Sequence, residues 1–229
     1  MNLLAFDTST EALSVAVRRA DAPPRVHEGA GGARASITLI PVIQELLAGA
    51  GLQLRELDAI VFGRGPGSFT GLRTACSVAQ GLAFGAGTPV LPVDTLLAVA
   101  EEARFAAGFE RVVAVLDARM DEVYWGAYVH EQGRWRREGE IGLGRPESLA
   151  VPDGWAIAGN AFAPYPARLP ADAPRVPALP TAAALLRLSP AMLAAGLSVP
   201  AAGALPLYIR DKVAQTTAER AAAHAARSA

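Results

Sequence analysis

Apolar residues fall into short blocks along this chain, with turn-forming residues between them. Residues 2–6 form an apolar run that fits a buried strand. Asp7-Thr8-Ser9-Thr10 is turn-forming, and residues 12–17 alternate in part, as a second strand would. Residues 24–29 supply a third. The period then changes over residues 36–48, where Leu39, Ile43, Leu46 and Leu47 share one helical stripe and Ile37, Ile40 and Val42 widen it. A helix apolar over so wide an arc is covered on more than one side. Pro41 removes one helical donor and is expected to kink or tighten the first turn. A strand over 57–62, a helix over 70–84, a strand over 89–93 and a helix over 95–105 follow. Hairpins followed by parallel crossovers predict an α/β mixed sheet with helices packed on it.

The second half repeats the opening. Residues 111–116 read as a buried strand ending at Asp117, residues 123–129 as the next, and residues 134–140 as a third after a turn at Gln132-Gly133. The repeat predicts two lobes: 1–106 with the glycine loop and the wide apolar helix, and a smaller 107–213. Prolines crowd the stretch after Glu140, which leaves only 181–188 and 190–195 as helical. The tail over 214–229 reads as a frayed helix or as disordered. This element order resembles the actin-like (ribonuclease-H-like) ATPase fold, here with a mixed sheet in each lobe and the second lobe reduced; the likeness licenses no activity by itself.

Composition narrows the function classes. The 229 residues are 52% apolar and 19% charged, with net charge -1. That balance describes a globular chain and argues weakly against a protein that grips nucleic acid alone. Cys76 is the only cysteine, so an internal disulfide is excluded and a reducing cytoplasm is expected. The apolar start lacks a basic flank, and no apolar run reaches the roughly 18 residues of a membrane span.

The candidate chemistry centres on Gly63-Arg64-Gly65-Pro66-Gly67-Ser68-Phe69-Thr70-Gly71-Leu72-Arg73, a tight strand-to-helix connection. Its amides are able to approach a phosphate or the next piece of backbone. It fits neither standard phosphate motif: a P-loop ends in Gly-Lys-Ser/Thr where this chain has Thr70-Gly71-Leu72, and Thr70 stands where a dinucleotide fingerprint needs its third glycine. The Asp7 turn reads either as a phosphate loop lacking its glycine or as a hairpin with an Asx bond. In the helix after the loop, Leu72, Ala75, Cys76, Ala79, Leu82 and Ala83 make an apolar stripe, and Thr74, Ser77, Gly81 and Gly85 a second, small one. Small residues at that spacing allow another helix close approach. His27, His130 and His224 have no ligand spacing, and Cys76 lies on an apolar stripe. Asp117, Asp121 and Glu122 surround a turn and read as solvated charges. Arg64 and Arg73 flank the loop and suit an anion or a carboxylate.

Four stretches carry a family resemblance. Gly65-Pro66-Gly67-Ser68-Phe69-Thr70-Gly71-Leu72-Arg73 is similar to the signature of the bacterial TsaB (YeaZ) family, a paralogue of TsaD. Leu4-Ala5-Phe6-Asp7-Thr8-Ser9-Thr10 resembles its opening strand and turn, Leu116-Asp117-Ala118-Arg119-Met120-Asp121-Glu122-Val123-Tyr124-Trp125-Gly126 its second-lobe hairpin, and Pro206-Leu207-Tyr208-Ile209-Arg210 its C-terminal motif. Residues 141–200 match least. The resemblance implies a partner of TsaD in placing a threonylcarbamoyl group on the adenosine beside the anticodon of tRNAs that read codons starting with A. It further implies a third protein, TsaE, a homodimer when the chain is alone, and tRNA contact only through the complex. No cofactor is then expected on the chain alone, with ATP or ADP only at the interface of the complex. The expected association surface is Leu39, Ile40, Ile43, Leu47, Thr74, Ser77 and Gly81, and Asp7, Thr8, Ser9 and Asp117 are a vestigial nucleotide site. Catalytic residues and metal ligands are not expected. Members often carry a His-Ser pair where this chain reads Arg34-Ala35-Ser36. An ATPase or kinase acting through Asp7, the Gly65 loop and Asp117 is the competing reading, with a metallopeptidase as outsider.

Overall fold

A computed structural model of the chain describes residues 1–20 and 22–210, so the tail over 214–229 lies outside the described residues. Three strands open the first lobe: β1 (Leu3–Asp7), β2 (Ala12–Arg18) and β3 (Arg25–Ala30). They are followed by α1 (Ala35–Ala50), β4 (Ala59–Gly65), α2 (Phe69–Ala86), β5 (Val90–Asp94) and α3 (Thr95–Ala107). The sheet runs β3-β2-β1-β4-β5. β1 and β2 pair antiparallel, as do β2 and β3, while β4 and β5 add in parallel.

Strand alternation divides the sheet's side chains between two cores. Leu4, Phe6, Leu13, Val15, Ile60 and Phe62 point to one face, where α1 and α2 cover them. Leu3, Ala5, Val61, Leu91 and Val93 point to the other, under α3 and a later helix. β1 and β4 are buried on both faces, which is why their sequences read as unbroken apolar runs.

The second lobe contains β6 (Arg111–Arg119), β7 (Glu122–Glu131), β8 (Arg134–Gly144), β9 (Ala156–Gly159) and β10 (Arg175–Pro177). Its order, β10-β9-β6-β7-β8, is that of the first sheet with each strand replaced by its counterpart. A meander is followed by parallel additions in both lobes. The actin-like arrangement is therefore duplicated, and the second lobe is reduced in its helices: a 3-10 turn at Pro146–Ser148 is the regular helix between β8 and β9. β9 and β10 carry too few residues for a periodic signal.

Residues 181–195 form one helix, α4 (Ala182–Ala194), which continues through Pro190. The Ser189 hydroxyl donates to the Leu185 carbonyl at 2.6 Å, beside the bond Pro190 cannot make. α4 packs on the first sheet, not the second: Ala182, Leu185, Leu186 and Leu188 lie against Leu3, Ala5 and Val61. Val199 then bridges to Val90. The span 107–213 is thus not one lobe in space, because its last stretch completes the first.

α3 and β8 join the two lobes at a buried charge. Glu101 is buried and accepts from Arg104 Nε (2.9 Å), Arg187 Nε (2.9 Å) and the Trp135 indole N–H (2.9 Å). Burial raises its pKa, but the bonds from Arg104, Trp135 and Arg187 outweigh that and hold the carboxyl below its usual range.

Candidate functional site

The turn between β1 and β2 lies inside the protein. Asp7 is 1% exposed, and Thr8, Ser9 and Thr10 are buried beside it. One Asp7 oxygen accepts the Ser9 amide at 2.8 Å and the Ser9 hydroxyl at 2.6 Å. The other faces the Thr95 hydroxyl at 3.4 Å. This is the Asx turn that the sequence allows. Burial pushes the Asp7 carboxyl up to about 6, against the opposing pull of the Ser9 and Thr95 bonds.

The glycine loop is spent on that turn. A Cβ at Gly71 would lie 1.8 Å from the Thr8 carbonyl, and one at Gly67 would lie 2.5 Å from the Ser9 carbonyl. The Ser68 amide donates to the Ser9 carbonyl at 2.7 Å, and the Thr8 hydroxyl donates to the Gly71 carbonyl at 2.7 Å. Gly63 clears the Asp7 carboxyl itself, since a Cβ there would stand 1.7 Å from Oδ2. The loop thus makes the close backbone approach that its glycines allow. The start of α2 therefore lies directly against the first turn.

The four motif stretches converge on one cleft between the lobes, about 380 Å³ in volume. Its walls include Ser9, Gly67, Phe69, Asp117, Tyr124 and Tyr208. Asp117 is tied down: its amide donates to Asn160 Oδ1 (2.9 Å), and its carboxylate accepts from the Arg119 amide (2.9 Å) and the Tyr165 hydroxyl (3.1 Å). The adjoining turn carries Arg119, Met120 and Asp121 at φ +61°, +55° and +65°. Three successive non-glycine residues in the left-handed region are costly and must be held by their surroundings. Arg168 pairs with Asp121, and Arg210 pairs with Glu122. The carboxylates of this turn are therefore arginine-bound rather than merely solvated.

Residues 204–210 form a strap across the cleft mouth. The Ala204 carbonyl accepts from Cys76 Sγ (2.8 Å) and Gln80 (2.9 Å), and the Leu207 amide donates to the Arg64 carbonyl (2.7 Å). Arg73 Nε donates to the Tyr208 hydroxyl at 3.1 Å, and its guanidinium lies 3.9 Å from the Phe69 ring centre. Tyr208, Arg210, Asn160 and Thr95 are absent from the expected site. The Pro-x-Tyr-x-Arg run carried a signal for the first two; Asn160 and Thr95 had none.

The expected association surface needs correction. Leu39 and Ile43 are 0% and 1% exposed, and Leu47 is buried with them in the core under α1. They face the sheet because the wide stripe of α1 is divided, with its inner half packed and its outer half open. Ile40 is exposed, and Ile37 is 76% exposed. On α2, Ser77 and Gly81 are exposed, Thr74 is half-buried and Phe84 is 85% exposed. A Cβ at Gly81 or Gly85 would meet nothing within 4 Å. His27 lies on β3 and His130 on β7, and His224 lies outside the described residues.

The sequence model described as "TsaD: tRNA N6-adenosine threonylcarbamoyltransferase" matches residues 31–226. The Escherichia coli (strain K12) protein named tRNA threonylcarbamoyladenosine biosynthesis protein TsaB is 36% identical over 225 residues, 93% of this chain and 96% of its own length. The chain belongs to the TsaB family. A Haemophilus influenzae TsaB is 48% identical over 134 residues, and the match spans 56% of that protein. The structure titled YeaZ from Pseudomonas aeruginosa superposes with a TM-score of 0.85 at 44% identity, covering 91% of this chain and 99% of that one. As a TsaB-family chain, it brings its four motif stretches to one cleft although residue 4 and residue 210 are nearly its whole length apart.

Proposed function

We propose that this chain is the non-catalytic partner subunit of TsaD in transferring the threonylcarbamoyl group to the adenosine next to the anticodon of tRNAs that read codons starting with A. One observation carries the reading: the glycine loop is packed on the Asp7 turn, so the fold's phosphate-facing elements are occupied with each other. A reaction centre in this chain would need those groups free. The outer faces of α1 and α2 remain, with exposed Ile37, Ile40 and Phe84 beside the small residues Ser77, Gly81 and Gly85. Such a surface suits close helix–helix contact, with TsaD in the complex or with a second copy when the chain is alone. TsaE joins the pair, tRNA is reached through the assembly, and ATP or ADP belongs at the interface of the complex. A cytoplasmic location follows from the tRNA substrate.

Reconstitution tests this. TsaD with TsaE and preformed threonylcarbamoyl-AMP should modify tRNA only when this chain is added, and the chain alone should modify none. Modification that proceeds equally without it would sink the proposal. Tight Mg-ATP binding by the isolated chain in calorimetry would favour the ATPase reading instead.

A further inference from the structure

We propose that Phe69, Arg73 and Tyr208, stacked at the mouth of the cleft, dock single-stranded RNA. The inference rests on the functional reading above, in which RNA is the substrate of the assembly that this chain serves. The Phe69 and Tyr208 rings stand 5.6 Å apart at an interplanar angle of 35°. They are 37% and 46% exposed, so two aromatic residues from segments far apart in sequence are brought together and left in contact with water. Arg73 lies over the Phe69 ring and spends one N–H on the Tyr208 hydroxyl.

Charge separates this arginine from its neighbours. Arg64, Arg119, Arg137, Arg168 and Arg210 each pair with a carboxylate. Arg73 makes no ion pair among the described residues, and neither does Arg34, in a 3-10 turn that packs against α2. Among the described residues, the Arg73 guanidinium beside Tyr208 therefore has no carboxylate partner, on a chain whose net charge is -1. Among the described residues no arginine holds the cleft carboxylate Glu11, which accepts from the Asn160 amide at 3.5 Å. Unpaired bases stack on aromatic rings and guanidinium planes, and a guanidinium also receives the adjoining phosphate. Stacking of this kind requires bases free of a duplex, which selects a loop or a single-stranded end.

Fluorescence anisotropy with a labelled 17-nucleotide anticodon stem–loop is the test, run on the chain alone and on its complex with TsaD from the same organism. Tyr208→Ala should weaken binding about 5-fold or more, and Tyr208→Phe, which keeps the ring, should largely restore it. Arg73→Gln should also weaken binding and lower the slope of log affinity against log salt by about 0.7. Both positions are exposed, so folding is expected to survive, and a melting curve on each variant checks it. Unchanged affinity in both variants overturns the proposal, as does the absence of wild-type binding in either state. A loss of TsaD association with RNA affinity intact would assign the stack to the protein interface. If the wild type forms the complex and supports modification while these variants bind RNA normally, only the stack is refuted. If the wild type does neither, the functional reading fails first.

Discussion

Asp7 is a carboxyl held where its charge is least welcome. Its pKa is raised from 3.8 to about 6 in the folded chain, with burial as the main cause. The sign of the linkage follows from which state releases its proton first. Below about pH 4 both states keep the proton. Between about pH 4 and pH 6 the unfolded chain gives it up and the folded chain does not, so stability falls as pH rises through that window. Above about pH 6 the penalty is constant, on the order of 2–3 kcal/mol. Asp7→Asn should therefore raise urea-measured stability at pH 7 by about 1–3 kcal/mol, and the difference between the two proteins should shrink as pH falls toward 4. A variant less stable than wild type at pH 7 would contradict this. Two glycines of similar appearance should also behave oppositely. Gly71→Ala places a Cβ 1.8 Å from the Thr8 carbonyl and should cost about 3 kcal/mol or more, through overpacking against backbone that cannot withdraw. Gly81→Ala adds a Cβ in open space on α2 and should gain about 0.5–1 kcal/mol. The sequence puts Gly71 in the glycine loop and Gly81 on the small stripe of α2, yet it shows the neighbour of neither. Glycine tells a reader that a side chain is missing but not what stands in its place.

At the scale of elements, period and turn chemistry located β1 to β8 and α1 to α3, because each is long enough to show alternation or a helical stripe. β9 and β10 were invisible for the opposite reason, and Pro190 split α4 into two pieces that the structure joins. The candidate site was legible as four motifs but not as one place, since convergence depends on how the second lobe closes over the first. The stripe on α1 shows a related limit: it told how much of the helix is apolar but not which part a neighbour covers. The consequence is testable with two substitutions. Ile43→Glu buries a charge in the core and should unfold the chain, by more than about 4 kcal/mol. Gly81→Leu fills open space on an exposed helix face, so it should leave the melting temperature nearly unchanged while blocking close approach of a partner. Sedimentation should then give a smaller mass for Gly81→Leu than for wild type, and an unaltered mass would remove α2 from the association surface.

At the scale of the whole molecule, two topologically equivalent lobes are joined so firmly that they should behave as one. Glu101 draws donors from α3, α4 and β8, and Asp94 of the first lobe holds Arg64 on one oxygen (2.7 Å) and Arg137 of β8 on the other (3.1 Å). Scanning calorimetry should accordingly show a single unfolding transition whose calorimetric and van't Hoff enthalpies agree. Two resolved transitions would mean that the junction is weaker than its hydrogen bonds suggest. The return of α4 to the first sheet has a further consequence, one for the chain as it is made. Leu3, Ala5, Val61 and Leu91 wait for Leu185 and Leu186, which leave the ribosome more than ninety positions later. During that interval the earliest lobe displays a greasy side that α3 covers only in part, the condition under which newborn chains clump or recruit chaperones. A fragment ending at residue 106 should therefore be insoluble, or bound to a holdase, when produced without the remainder.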